Sequence, residues 1–289
     1  MRWPSPMLMA MIFVFTTMAC KQPEPENFLA EIGVCTRFEN AGMLAALGYT
    51  FVEESVGNLL VPTKSEEEFM QILERAKQSP LPIRACNIFI PGSLKSVGPN
   101  AVHPEILEYA ETVFRRAEMI GVEYIVFGSG GSRSIPEDFP REEALAQFIE
   151  LLKAMAPIAE KYKVVVVLEP LNQRETNFVN SVSEGGVIVE AVGHPNFRLL
   201  ADIYHMLMDD EGPESILQYG HLIHHTHIAE KEGRAAPGTH NEDFRPYFEA
   251  LKTVGYKGPM SVECRWDDLE TQAGVALQTM RAQLSTLAN

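Results

Sequence analysis

A chain of 289 residues, at roughly 150 residues per domain, accommodates two ordinary domains or one large α/β barrel. A hydrophobic fraction of 46% and a charged fraction of 22%, without any low-complexity tract, exclude an intrinsically disordered chain. Asp and Glu number 39 against 24 Lys and Arg, a formal charge of −15, so the surface repels phosphate backbones and no nucleic-acid partner is expected.

The first twenty residues stand apart. Arg2 precedes an apolar stretch from Met7 to Val14 that continues to Cys20, after which Lys21-Gln22-Pro23-Glu24-Pro25-Glu26 is polar and proline-rich. The apolar part is shorter than the about 20 residues a spanning helix needs and has the layout of a signal peptide. Thr17-Met18-Ala19-Cys20 resembles a bacterial lipobox, with Thr17 where Leu is usual. Residues 1–19 are therefore expected to be a signal peptide, Cys20 the lipidation site and 20–27 a linker, with residues 28–289 forming the folded domain. This places the protein in the bacterial cell envelope, facing the periplasm or the surface, and touching the membrane only through its anchor; ordinary secretion is the alternative. Cys35, Cys86 and Cys264 show no CxxC spacing and sit in apolar, β-like runs. They read as small core residues, with a single disulfide as the alternative.

From Phe28 onward, short β-rich runs alternate with helical stretches. The strands predicted are Ile32–Cys35, Thr50–Glu53, Ile83–Asn87, Tyr124–Phe127, Val164–Leu168, Leu199–Asp202, His224–Ile228 and Met260–Glu263. Ser65–Gln78, Pro104–Ile120, Arg141–Tyr162 and Phe244–Val254 carry apolar residues at spacings of three and four, the pattern of amphipathic helices. Eight βα units without an intervening linker predict a single (β/α)8 TIM barrel. A doubly wound sheet needs a glycine-rich turn after its first strand, and Thr36-Arg37-Phe38-Glu39 is not one.

In such a barrel, the active site lies at the C-terminal ends of the strands. The fifth strand ends in Glu169 and the sixth in Asp202, the seventh carries His225 and His227, and the eighth ends in Glu263. Carboxylates with one imidazole make a hard oxygen and nitrogen set, suited to one divalent ion: Mn²⁺ first, with Mg²⁺, Co²⁺ or Zn²⁺ as alternatives. Glu175, His205 and Arg234 follow these strand ends and could fix the hydroxyls of a metal-chelated polyol. The plainer readings are an ion pair of Arg234 with Glu230 or Glu232, and a helix-start role for Glu175. After the fourth strand, Gly128-Ser129-Gly130-Gly131-Ser132-Arg133 could cradle a phosphate or form a tight small-residue loop that admits substrate. The second reading is preferred.

At these residues the sequence resembles the xylose isomerase-like sugar isomerase/epimerase superfamily, and within it the ketose 3-epimerases and hydroxypyruvate isomerases. The resemblance rests on Glu169-Pro170-Leu171-Asn172-Gln173-Arg174-Glu175, Asp202-Ile203-Tyr204-His205, His225-Thr226-His227, Pro237-Gly238 and Ser261-Val262-Glu263. It implies that Glu169, Asp202, His227 and Glu263 bind one divalent ion, and that Glu169 and Glu263 are the acid/base pair. Glu175, His205 and Arg234 would then hold a sugar or keto-sugar. One spacing differs: Arg234 follows His227 by seven residues, where the superfamily has six. The expected activity is metal-dependent isomerisation or epimerisation through an enediolate. The alternatives are a keto-sugar lyase or hydrolase on the same site, or a lipid-anchored sugar-binding protein without turnover.

Overall fold

Eight short strands form; some, such as Val165-Val166-Val167-Leu168, are apolar on both sides of the pleat, because a parallel sheet covered by helices leaves neither face to water, while those holding Glu53 and His227 carry polar residues among the apolar ones. The eight are β1 (Ile32–Cys35), β2 (Phe51–Ser55), β3 (Ile83–Asn87), β4 (Tyr124–Phe127), β5 (Val165–Leu168), β6 (Phe197–Asp202), β7 (Ile223–Ile228) and β8 (Met260–Val262). Each pairs in parallel with its sequence neighbour, and β1 closes on β8 with Ile32 beside Met260. The fold is a closed (β/α)8 barrel, as the alternation of elements predicts. The computed structural model describes Met1 and residues 28–287. The expected signal peptide beyond Met1, the Cys20 anchor and the 20–27 linker lie outside the described residues. Among those described, no helix is long and apolar enough to cross a membrane.

The predicted helices occur as Glu66–Ala76, His103–Ile120, Arg141–Lys161 and Arg245–Thr253. The first is started by a capping box: Ser65 accepts from the Glu68 backbone N–H while the Glu68 carboxylate accepts from that of Ser65. Helices Val182–Val192 and Leu269–Ser285 extend the surrounding layer after β5 and β8. The main apolar core includes Phe114, Phe127, Phe148 and Phe197 and packs helices against strands. A second, smaller cluster of Val126, Val167 and Leu200 is separate from it. It belongs to the inside of the barrel, where Glu53, His225, His227 and Ser261 are also buried, with Phe51 beside the His225 ring. Cys35, Cys86 and Cys264 are free thiols, so the disulfide alternative is not realised; only Cys86 is fully buried, while Cys35 and Cys264 are partly exposed.

Candidate metal centre and active site

The strand ends converge. Register pairs Asp202 with His227 across β6 and β7, and His227 with Ser261 across β7 and β8. Glu169 and Glu263 each stand one residue beyond β5 and β8. One ligand atom from each of Glu169, Asp202, His227 and Glu263 lies within 4.8 Å of all the others. His227 Nδ1 is 3.1 Å from Glu169 Oε1 and 3.2 Å from Glu263 Oε2. Three carboxylates around one imidazole fit a hard divalent cation.

The electrostatics agree with that fit. Burial raises the carboxyls of Glu169 and Asp202, Asp202 to about 6, although Arg234 and His227 pull Asp202 back. Glu263 is held low against the same burial by His227 and Arg234. Burial lowers the proton affinity of His227, but Glu53 and Glu263 outweigh it and push the ring well above the ordinary histidine value. The site therefore concentrates negative charge that only a histidine, an arginine or a bound cation can balance.

His205, just after β6, is 3% exposed. Both the backbone N–H and the side-chain amide of Asn172 donate to its Nδ1, at 3.2 and 2.8 Å. Nδ1 must then be the acceptor, which assigns the proton to Nε2. That nitrogen is buried without a hydrogen-bond partner, 3.4 Å from Asp202 Oδ2, so it is an unused donor beside the ligand cluster. Burial favours the neutral ring.

Arg234 reaches the same place despite its shifted spacing. Gly233 (φ +68°) and Arg234 (φ +53°) are both left-handed; a bulky side chain in this region carries strain. The guanidinium bonds Glu263 through Nη2, lies 3.5 Å from Asp202 Oδ2 and 3.8 Å from Glu175 Oε1, and rests over the Tyr204 ring. The expected alternative, an ion pair with Glu230 or Glu232, is not formed. Glu230 instead accepts backbone N–H groups of Gly238, His240 and Glu242. Glu175 starts no helix either; it sits in the turn after Asn172, whose amide donates to it at 3.3 Å, and Ser181 caps the helix that follows.

The glycine-rich loop is not a phosphate cradle built on Arg133. That side chain is fully buried and donates to the carbonyls of Phe127, Gly128, Glu169 and Phe178. With no carboxylate partner, burial lowers its pKa to about 10. The guanidinium ties the exits of β4 and β5 together. Gly128 packs directly against the Glu169 carboxylate, which a Cβ there would overlap.

Residues 42–283 match the family model described as Xylose isomerase-like TIM barrel. The chain belongs to this family. It is 33% identical over 148 residues to an L-ribulose 3-epimerase of Methylomonas sp. (strain DH-1), covering 51% of this chain and 49% of that protein. It is 30% identical over 165 residues to a putative hydroxypyruvate isomerase of Homo sapiens, covering 54% and 58%. The chain thus spans about half the length of the curated relatives it matches. The barrel superposes on a D-psicose 3-epimerase from Clostridium cellulolyticum H10, solved with D-tagatose, with a TM-score of 0.78, 20% identity and coverage of 88% and 99%. At that identity the likeness shows the fold alone.

This xylose isomerase-like barrel also brings residues to the site that the sequence reading passed over. Asn87, the last residue of β3, donates its amide to Glu263 Oε1 at 2.8 Å. Glu53 on β2 is wholly buried beneath His227. Applying the strand-end criterion to β3, as to β5 through β8, selects Asn87; Glu53 lies in the middle of β2 and escapes it.

Proposed function

We propose that this protein is a divalent-metal-dependent sugar isomerase or epimerase that moves a proton on a sugar or keto-sugar through an enediolate. The observation that carries the reading is the cluster of Glu169, Asp202, His227 and Glu263 at the barrel mouth, with ligand atoms within 4.8 Å of one another. The relatives named L-ribulose 3-epimerase and ketose 3-epimerase support the same class. A divalent ion, Mn²⁺ for preference, held by these four side chains would polarise a carbonyl and its neighbouring hydroxyl and acidify the C–H bond between them.

Glu169 and Glu263 come from β5 and β8, separated by β6 and β7, and serve as the two bases. One removes the proton; the other returns a proton to the same carbon or to the next, giving an epimer or an isomer. His205 donates Nε2–H to a substrate oxygen. Arg234 and Glu175 fix further hydroxyls, which holds the reacting carbon between the two carboxylates. We place the mature protein at the cell envelope through Cys20.

The test is turnover of a panel of ketoses and 3-keto-sugars in D₂O with Mn²⁺-loaded protein, locating deuterium by NMR. Glu→Gln keeps a metal-binding oxygen but cannot take a proton. Glu169→Gln and Glu263→Gln are each expected to bind Mn²⁺ and to lose at least about 10²-fold in turnover. Near-normal turnover in either variant refutes the two-base scheme.

A further inference from the structure

Three side chains of the barrel interior, His225, His227 and Ser261, converge on one carboxylate. Glu53, on β2, is 0% exposed and has no Arg or Lys partner among the described residues. His227 Nε2 lies 3.1 Å from both of its oxygens. His225 Nε2 and Ser261 Oγ each lie 2.7 Å from Oε2. A buried carboxylate is costly unless its lone pairs are used, and here histidines and a hydroxyl use them.

We infer that Glu53 is a positioning residue of the metal centre: by accepting the hydrogen bond of His227 Nε2–H, it leaves the lone pair of His227 Nδ1 to face the ion. This rests on the four-residue metal site proposed above. The argument is one of tautomers. A neutral imidazole carries a single N–H, and an ionised carboxylate can only accept. Opposite Glu53, Nε2 therefore keeps the proton and Nδ1 gives it up. Nδ1 is the nitrogen that stands 3.1 and 3.2 Å from Glu169 and Glu263. A carboxylate behind a ligating histidine also fixes the ring plane and strengthens the donor nitrogen.

The support for Glu53 is itself anchored. His225, the second histidine of the pair, does not join the ligand cluster. It bonds Glu53 on one side, its Nδ1 lies 3.2 Å from the Pro259 carbonyl, and Tyr124 stacks on its ring at 5.6 Å with planes 4° apart. The paired histidines of β7 thus divide the work: His227 faces the site and His225 holds the carboxylate that orients it. A Gln at position 53 would present an amide with one acceptor and two donors. If its NH₂ faced His227, the proton would move to Nδ1 and block the ligand position.

The experiment is Mn²⁺ titration of the full chain, reading free Mn²⁺ by electron paramagnetic resonance, for the parental protein, Glu53→Gln and Glu53→Asp. The dissociation constant is expected to rise about 10- to 100-fold in Glu53→Gln, with partial recovery in Glu53→Asp, which keeps the charge but shortens the reach. A Glu53→Gln protein that binds Mn²⁺ as the parent does overturns this inference alone. A parental protein that binds no Mn²⁺ removes the metal site and this inference with it. A second measurement needs no variant: in ¹⁵N-histidine-labelled parental protein loaded with ¹¹³Cd²⁺, the ¹⁵N–¹¹³Cd coupling is expected on His227 Nδ1, with a proton retained on Nε2. Coupling on Nε2, or loss of the Nε2 proton, overturns the assignment even if Glu53→Gln fails to fold.

Discussion

Gly128 offers a perturbation that separates the position of Glu169 from its chemistry. A Cβ at this residue, just past β4, would overlap Glu169 Oε2 and stand 3.3 Å from the carboxyl carbon and 3.5 Å from Leu171 Cδ2. The oxygen has to retreat by roughly 1 Å to regain ordinary contact range, and the carboxyl carbon by a few tenths of an ångström. Gly128 is not among the positive-φ glycines, so alanine fits its backbone. The displaced atom is the end of a flexible side chain, which keeps the overpacking cost near the low end of about 1–3 kcal/mol. Restricting the unfolded chain returns about 0.4–1 kcal/mol. Gly128→Ala is therefore expected to fold with stability within about 2 kcal/mol of the parent. A 1 Å misplacement of a reacting group is worth about 10²-fold in rate, so turnover is expected to fall by about that factor, together with weaker Mn²⁺ binding. Thermal unfolding of the metal-free protein, Mn²⁺ titration and ketose turnover on one preparation form the assay. Unchanged turnover and Mn²⁺ affinity in a well-folded variant would show that the Glu169 carboxylate does no work at this position.

Arg133→Met keeps the length and apolar character of the stem but strands the buried carbonyls of Gly128, Glu169 and Phe178, while that of Phe127 keeps the Glu169 N–H. At about 1–3 kcal/mol for each unsatisfied acceptor, urea denaturation is expected to register a loss of at least about 3 kcal/mol, and a loss under about 1 kcal/mol counts against the account of the loop. Cys20→Ser is expected to shift the protein from the membrane fraction to the soluble one, or to leave its precursor uncleaved. A parental product that is soluble and begins elsewhere than Cys20 defeats the proposed anchoring.

The barrel is legible in the sequence because its strands need little more than apolar runs at regular intervals, and its helices announce themselves by spacing and caps such as Ser65 with Glu68. Glu169, Asp202 and Glu263 are legible because each is an acid that ends an apolar strand. Glu53 is not, since Glu53 and Glu54 stand side by side and sequence does not say which one faces inward. The fold decides it: Glu54 turns the other way to accept the Phe38 and Ser55 backbone N–H groups. Arg133 misleads for a related reason. In a Gly/Ser loop an arginine looks available to an anion, and only the closing of β4 against β5 shows its donors already taken. Nor does spacing alone place Arg234, because reach depends on two left-handed residues that counting does not reveal.

The Arg133 guanidinium touches the β5 loop at both ends, at the Glu169 carbonyl where the loop leaves the barrel and at the Phe178 carbonyl where it returns. Residues 170–177, which include Asn172 and Glu175, thus hang from a fixed clasp. On the function proposed above, such a loop can change its tip, and with it the hydroxyls proposed to meet it, while the carboxylate at its root stays in register with the other strand ends. The clasp would then decouple diversification of the proposed substrate from retention of the proposed ion, and a library confined to residues 173–176 is the natural place to test for new sugar preferences.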